Sequence, residues 1–408
     1  MSMVDSQEAC ADALSVCPPS APAGPFTRPR LRALLVRTFA IGVVLSAIGL
    51  LVLASFPLAA PRVANGLRRV IGAGSVAALE DIVYGGQDRW NRLVRRGEPP
   101  KSYWEPPVQP IHPESEEPAL PAFRPEDVGP MLAKTAAPGD GLWSPVEDTE
   151  HAGEAPLLYR TLVHPDPARP WAELFVVAID LARVRLNSVV GAEQPEAKTP
   201  EARAYRRTAV IPEDARSSLV AAFNGGWRTE HGQLGMKADG VLFVPPKDRA
   251  CVVAAANDDT LRIAPWAAVA SEESQWRWWR QTPGCLYVDG APNDGLSQNA
   301  WAWGAAVSGE TVIRRSAIGL APKGDVLFMG VSNATTAPVL AAGMHHAGAS
   351  NVAELDVNWS FPKFLVFHHD ETGKLVAQSL FAGFVFDKDD YLRKRSEKDF
   401  FYLARRGP

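Results

Sequence analysis

From about Ala155 onward, short apolar runs alternate with breaks built from Gly, Pro, Asn and Asp. Runs rich in Val, Leu, Ile and Phe and bounded in this way predict strands. They fall at Leu157–Val163, Ala172–Asp180, Val184–Val190, Ser218–Phe223, Val241–Val244, Cys251–Ala255, Leu286–Val288, Ser316–Leu320, Val326–Val331, Val352–Leu355, Phe364–His368 and Leu380–Val385. Helical patterns are fewer: Pro200–Arg207, Pro212–Ser217, Ser271–Arg280 and Pro338–Ala347. The last opens on proline and stops before Gly348, as helix-end chemistry favours. Many strands with few helices predict one α+β domain over residues 151–408 rather than a regular doubly wound fold.

The N-terminal third has a different pattern. Residues 1–30 are polar, without periodicity, and predict a disordered tail. Thr38 to Ala60 carries no charge. As a helix it would span about 35 Å, enough for a bilayer core. A transmembrane anchor is therefore expected within 33–60, with a cleaved signal peptide as the alternative. Arg28, Arg30, Arg32 and Arg37 precede the segment and Arg62, Arg68 and Arg69 follow it, a small bias towards an inside N-terminus. Residues 61–97 read as a juxtamembrane helical segment. Its apolar positions around Val70–Leu79, with Ile82, Val83 and Trp90, and its arginines suit either a lipid interface or an ordinary helix. Between Glu98 and Pro145 stand 12 prolines in 48 residues. Such a stretch predicts an extended spacer over 98–150. The expected arrangement is single-pass, with the C-terminal domain outside the cytoplasm.

Composition adds limits. The net charge is −4 and no basic, aromatic-interleaved stretch occurs in the C-terminal half, so nothing favours nucleic acid. No C-x-x-C is present, which argues against structural zinc. Cys251 and Cys285 could pair in an oxidising compartment or remain two separate buried thiols.

Candidate chemistry gathers at strand ends. Asn224-Gly225-Gly226 follows an apolar run; it reads as a hairpin turn or as a backbone nest for an anion. Arg314 and Arg315 alternate, so one of the two can face a site, where a guanidinium suits phosphate. Glu354, Asp356 and Asn358 share one face if their strand continues, a position for a nucleophile, a base or hard-metal ligands such as those of Ca²⁺ or Mg²⁺. His231 lies in a glycine-containing loop just beyond the Asn-Gly-Gly turn. The pairs His345-His346 and His368-His369 read as packed or surface residues. Most of Trp266, Trp276, Trp278, Trp279, Trp301 and Trp303 read as packing.

Taken together, these segments resemble the phosphodiester glycosidase family over roughly residues 155–390. The markers stand in order: Asn224-Gly-Gly226, Gly235-Met-Lys-Ala-Asp-Gly240, Arg315-Ser-Ala-Ile-Gly319 and the strand ending at Asp356. The family usually continues that last strand as Asp-Gly-Gly; here it reads Asp356-Val-Asn-Trp-Ser360. The resemblance implies a single mixed-sheet domain that cleaves a sugar from a sugar-1-phosphodiester in the cell envelope. It implies catalytic roles for Asp356, Arg315, Asn224 and His231, and substrate binding by Gly225, Gly226, Asp239, Asn358 and Glu354. The expected partners are a glycan or sugar phosphate and the membrane, and no cofactor is required beyond an optional divalent cation. The competing expectation is a non-catalytic module that binds glycan or anionic polymer.

Overall fold

A computed structural model describes residues 73–105, 123–293, 311–357 and 359–407. The tail 1–30, the apolar segment Thr38–Ala60, Trp301, Trp303 and Asn358 lie outside the described residues. No described helix is long and apolar enough to cross a membrane.

The domain is mostly sheet with few helices, and it holds three sheets in which every described strand pair is antiparallel. One mixed sheet was the expectation; short breaks make hairpin neighbours such as Leu158–Val163 and Leu174–Asp180 antiparallel, while other antiparallel pairs, such as Leu219–Asn224 with Phe400–Arg405, join strands far apart in the chain. Sheet I runs in the order Ser144–Pro145, Leu158–Val163, Leu174–Asp180, Val326–Thr335, Ile313–Leu320, Asn351–Glu354, Tyr287–Val288 and Ala291–Pro292. Sheet II runs Leu375–Ser379, Phe364–His369, Leu219–Asn224, Phe400–Arg405 and Val184–Val189. Sheet III runs Val241–Val244, Met236–Ala238, Trp276–Thr282, Cys251–Ala256 and Leu261–Pro265.

Alternation explains the packing. In strand Leu174–Asp180, Phe175, Val177 and Ile179 enter the core shared with Phe223, Phe364 and Phe401 of sheet II and Val253 and Ile263 of sheet III. Leu174, Val176 and Ala178 point the other way, against Leu340, Ala341 and Met344 of helix Ala337–His346. Both faces are thus buried, which is why the run reads as continuously apolar. The Ala337–His346 helix starts where Thr336 accepts from the Val339 N–H and proline occupies its first turn.

Several elements differ from the sequence expectation. Ser271–Arg280 is no helix: a 3-10 turn, Ala270–Gln275, leads into strand Trp276–Thr282. That strand pairs with Cys251–Ala256, with a bulge between Trp276 and Trp278. Trp278 enters the main core and Trp276 and Trp279 the opposite cluster. Aromatic residues suit such a two-sided strand, and that pairing outweighs helical spacing. The strand near Leu380–Val385 lies earlier, at Leu375–Ser379. Strands Met236–Ala238, Leu261–Pro265 and Phe400–Arg405 had no counterpart in the pattern. Cys251 and Cys285 form a disulfide that ties sheet III to the segment entering Tyr287–Val288.

A helix, Ala73–Val94, lies within the juxtamembrane segment. It is fixed to the domain by Asp88, which accepts from Arg169 Nε at 2.6 Å and Nη2 at 2.8 Å. The Arg95 guanidinium lies 5.2 Å from the Trp171 ring centroid. Of the Pro-rich stretch 98–150, residues 98–105 and 123–150 are described, and parts of both lie on the sheets. Tyr103 packs edge-on to Phe175, Asp127 accepts from the Trp143 N–H, and Trp143 is buried.

Candidate functional site

Strand Leu219–Asn224 of sheet II ends against strand Ile313–Leu320 of sheet I. A ring of hydrogen bonds closes the junction. Asn224 Nδ2 donates to Ser316 Oγ at 2.8 Å. Ser316 Oγ donates to the Asp356 carbonyl at 2.8 Å. The Asp356 N–H donates to the Gly225 carbonyl at 3.0 Å. On its other side Asn224 Oδ1 accepts from the Lys363 N–H at 3.2 Å. Trp227 reinforces the junction by donating its indole N–H to the Leu355 carbonyl at 2.8 Å. The Asn224-Gly225 turn and Asp356, distant in sequence, are thus joined, directly at Gly225 and through Ser316 at Asn224.

The glycines of the turn are explained by what lies against them. A methyl group on Gly225 would fall 2.3 Å from Asp399 Oδ2, and one on Gly226 would fall 2.8 Å from the Arg280 Cζ. The Gly225 N–H donates to the Asp399 carbonyl at 3.0 Å and the Gly226 N–H to its carboxylate at 2.9 Å. The nest holds an anion, and that anion is the protein's own carboxylate. Asp399 in turn meets Arg280 through Nε at 3.0 Å and Nη2 at 3.2 Å, both side chains essentially inaccessible.

Three more buried ion pairs surround this one. Lys398 Nζ donates to Asp356 Oδ2. Arg315 Nη1 meets Glu354 Oε1 at 2.5 Å, and Arg315 also donates to the Thr335 and Thr311 carbonyls. Lys363 Nζ meets Asp390 Oδ2 at 2.9 Å. Burial pushes the Glu354 carboxyl up against the pull of Arg315. Burial likewise pushes the Lys398 ammonium down, against the pull of Asp356. Close pairing of this kind offsets the desolvation that either partner alone would bear, and removing one partner leaves the other buried and uncompensated.

Arg314 and Arg315 take partners that do not overlap, as strand alternation requires. Arg315 and Glu354 lie on the side of Ala317, whose register partner is Glu354. Arg314 donates to the Trp359 carbonyl, Asn333 Oδ1 and the Gly383 carbonyl, each at 2.8 Å.

The remaining expected residues are dispersed. His231 closes the short turn Thr229–His231 and lies edge-on to Trp227, on the flank of the junction. Asp239 is elsewhere: it sits in a tight turn at φ 50°, accepts from the Tyr205 hydroxyl, and lines a cleft of about 190 Å³ with Arg277, Trp278 and Tyr402. Asn358 lies outside the described residues. Of the oxygens expected to hold a divalent cation, Glu354 faces Arg315 and Asp356 faces Lys398. Among the described residues no group of three or more His, Cys, Asp or Glu is spaced to hold a metal.

Sequence reasoning did not name Ser316, Lys398, Asp399 or Arg280. Glu397-Lys398-Asp399 looks like an ordinary solvated charge run, and Arg280 sat in a stretch read as helix. The available signal was Lys-Asp directly before the apolar run Phe400–Leu403, a charged pair at the mouth of a strand.

No family model matches the chain, and no curated protein does. Three solved structures show distant likeness. One is the zebrafish N-acetylglucosamine-1-phosphodiester alpha-N-acetylglucosaminidase catalytic domain auto-inhibited by its pro-peptide: 14% identity, 65% of this chain and 88% of that one, TM-score 0.41. A hypothetical protein from Synechocystis shows 12% identity over 61% of this chain and 62% of that one, TM-score 0.39. A putative exported protein from Burkholderia pseudomallei shows 11% identity over 57% and 74%, TM-score 0.27. Likenesses of this size assign no role to any residue.

Proposed function

We propose that this chain is a hydrolase that releases a sugar from a sugar-1-phosphodiester, carried on a membrane-anchored domain outside the cytoplasm. The observation that carries the reading is the closed ring Asn224–Ser316–Asp356–Gly225, which joins residues of three of the family-like motifs at one place. A phosphate leaves readily and needs little proton donation. The site must then stabilise an oxocarbenium-like sugar and hold an anion. Asp356 supplies the carboxylate for the sugar, and Lys398 orients it through Oδ2. Asn224 fixes the backbone on which Asp356 sits. Arg315 holds Glu354, and Gly225 and Gly226 hold Asp399, so these residues position the site. His231 is the titratable side chain on its flank.

The test uses the purified full-length chain in neutral detergent with a panel of sugar-1-phosphodiesters and product detection. Asp356→Asn should lower turnover by roughly 10²-fold or more, the scale of a lost charge stabiliser. Because removing one partner of a buried pair can unfold the chain, Asp356→Asn/Lys398→Met is measured alongside, with thermal melting as the folding check. Wild-type rates in both variants would sink the reading.

A second reading is favoured by one observation: the turn N–H groups and Asp356 already have partners within the protein. A non-catalytic module that binds glycan or anionic polymer fits that internal neutralisation. Saturable binding of the same panel with no product would establish it.

Membrane attachment is supported by the uncharged Thr38–Ala60 and by the helix Ala73–Val94. Its docked side carries Asp88. Trp90, Leu93 and Val94 stand largely exposed, and helical spacing puts them opposite Asp88. Arg89, Arg92 and Arg96 line one flank of that face, an arrangement suited to anionic lipid. The Cys251–Cys285 disulfide fits an oxidising compartment.

A further inference from the structure

Arg314 and Arg315 are neighbours and equally buried, at 2% and 1% exposure, but their surroundings differ. Arg315 faces a carboxylate. The hydrogen-bond acceptors around Arg314 are neutral: two carbonyls and the Asn333 amide oxygen. Among the described residues no Asp or Glu pairs with it. Its Nε–H, fully enclosed, meets no acceptor. Two aromatic rings pack on the guanidinium, Trp359 at 3.8 Å and Phe384 at 4.6 Å from Cζ to centroid. Burial alone pushes the Arg314 group down from the ordinary guanidinium range to about 10.

A buried cation held only by dipoles and π faces is an incomplete arrangement, since desolvation is best offset by an opposite charge. Ring faces compensate in part. The ring nearer the guanidinium is also the more accessible: Trp359 is 47% exposed. It belongs to Asp356-Val-Asn-Trp-Ser360, three residues after the aspartate of the proposed site. Arg314 therefore lies just beneath the surface, under a large side chain with open solvent on its outer side.

We propose that Arg314 is an oxyanion site and that Trp359 is its cover. The indole swings off the guanidinium, which opens a path for a phosphate-type oxyanion to the in-plane Nε–H donor. Phe384 and the three neutral acceptors hold the guanidinium in position meanwhile. Planar guanidinium and phosphate match in geometry as well as charge. That the natural anion is the phosphate of the cleaved diester rests on the hydrolase reading; the anion site itself does not.

The experiment is calorimetric titration of the full-length chain in neutral detergent with inorganic phosphate, then with dimethyl phosphate. Trp359→Ala removes the cover and should tighten phosphate binding about tenfold, the effect of one modest closing equilibrium. Adding Arg314→Gln to that variant should abolish the binding, and Arg314→Lys should keep part of it. Binding of dimethyl phosphate as well as inorganic phosphate assigns a diester; binding of inorganic phosphate alone assigns a free phosphate or monoester. The proposal is overturned if Trp359→Ala binds neither anion, or if binding survives in Trp359→Ala/Arg314→Gln. Should Arg314→Gln prove unstable, Trp359→Ala against wild type decides, because it leaves the cation in place. Phosphate binding in Asp356→Asn without turnover in any variant would retire the hydrolase reading and keep the anion site. Turnover with no Arg314-dependent binding would do the reverse.

Discussion

Gly226 shows how a residue without a side chain can be the most constrained at a site. Its missing methyl leaves room for the Arg280 guanidinium, which in turn neutralises Asp399. Gly226→Ala should displace that guanidinium and destabilise the domain by about 2–4 kcal/mol, since one buried partner would lose its geometry. Urea unfolding gives the number; a change within about 0.5 kcal/mol, the scale of a neutral surface change, would refute the account. Asn224 and Asp356 were legible because each is a polar residue closing an apolar run. Arg280 and Asp399 were not, because their meaning depends on a partner 119 positions away. A single sequence displays spacing, and spacing carries no sign of such a pairing. The direction of the glycines' use was equally hidden: a nest for an external phosphate and a nest for an internal carboxylate look identical in sequence.

At the scale of elements, two-sided strands rich in β-branched residues, such as Leu174–Asp180, were read well, whereas Phe400–Arg405, two-sided but without a β-branched residue, was not. Trp276–Thr282 was misread since three tryptophans close together fit either a helix face or a two-sided strand, and only the partner Cys251–Ala256 decides. The helix Ala73–Val94 offers a pH test. Arg169 beside Asp88 holds its carboxyl below the ordinary 3.8. A lowered folded value means the stabilisation is present above pH 3.8 and is lost as pH falls through the lower folded value. Hydrogen exchange over residues 83–95 should therefore accelerate selectively below pH 3.8, ahead of the sheets, and Asp88→Asn should show the same acceleration at neutral pH. Unchanged exchange in Asp88→Asn would show that the ion pair does not hold the helix. The pair ties one helix to the domain and lies outside the shared core, so the effect expected is local loosening rather than global unfolding.

Across the whole molecule, three sheets share one core while one helix keeps Trp90, Leu93 and Val94 turned outward. If that face meets lipid, a fluorophore at position 93, introduced as Leu93→Cys in a chain whose Cys10 and Cys17 are replaced by Ser, should be quenched by brominated anionic lipids in nanodiscs. Trp90→Glu in the same chain should reduce the quenching severalfold, as one charge opposes interfacial burial. Quenching that is absent from the start would leave the helix facing water.

Lys398 and Asp399 immediately precede Phe400–Arg405, which lies between Leu219–Asn224 and Val184–Val189. Two of the four ion pairs described at the junction, and the anchor of the Asn-Gly-Gly turn, therefore come from the two residues that lead into this strand. Without this segment, sheet II lacks the strand between Leu219–Asn224 and Val184–Val189, and the Lys398–Asp356 and Arg280–Asp399 pairs are not made. Docking of Phe400–Arg405 thus fills that place in sheet II and brings both charge partners to the junction in a single step.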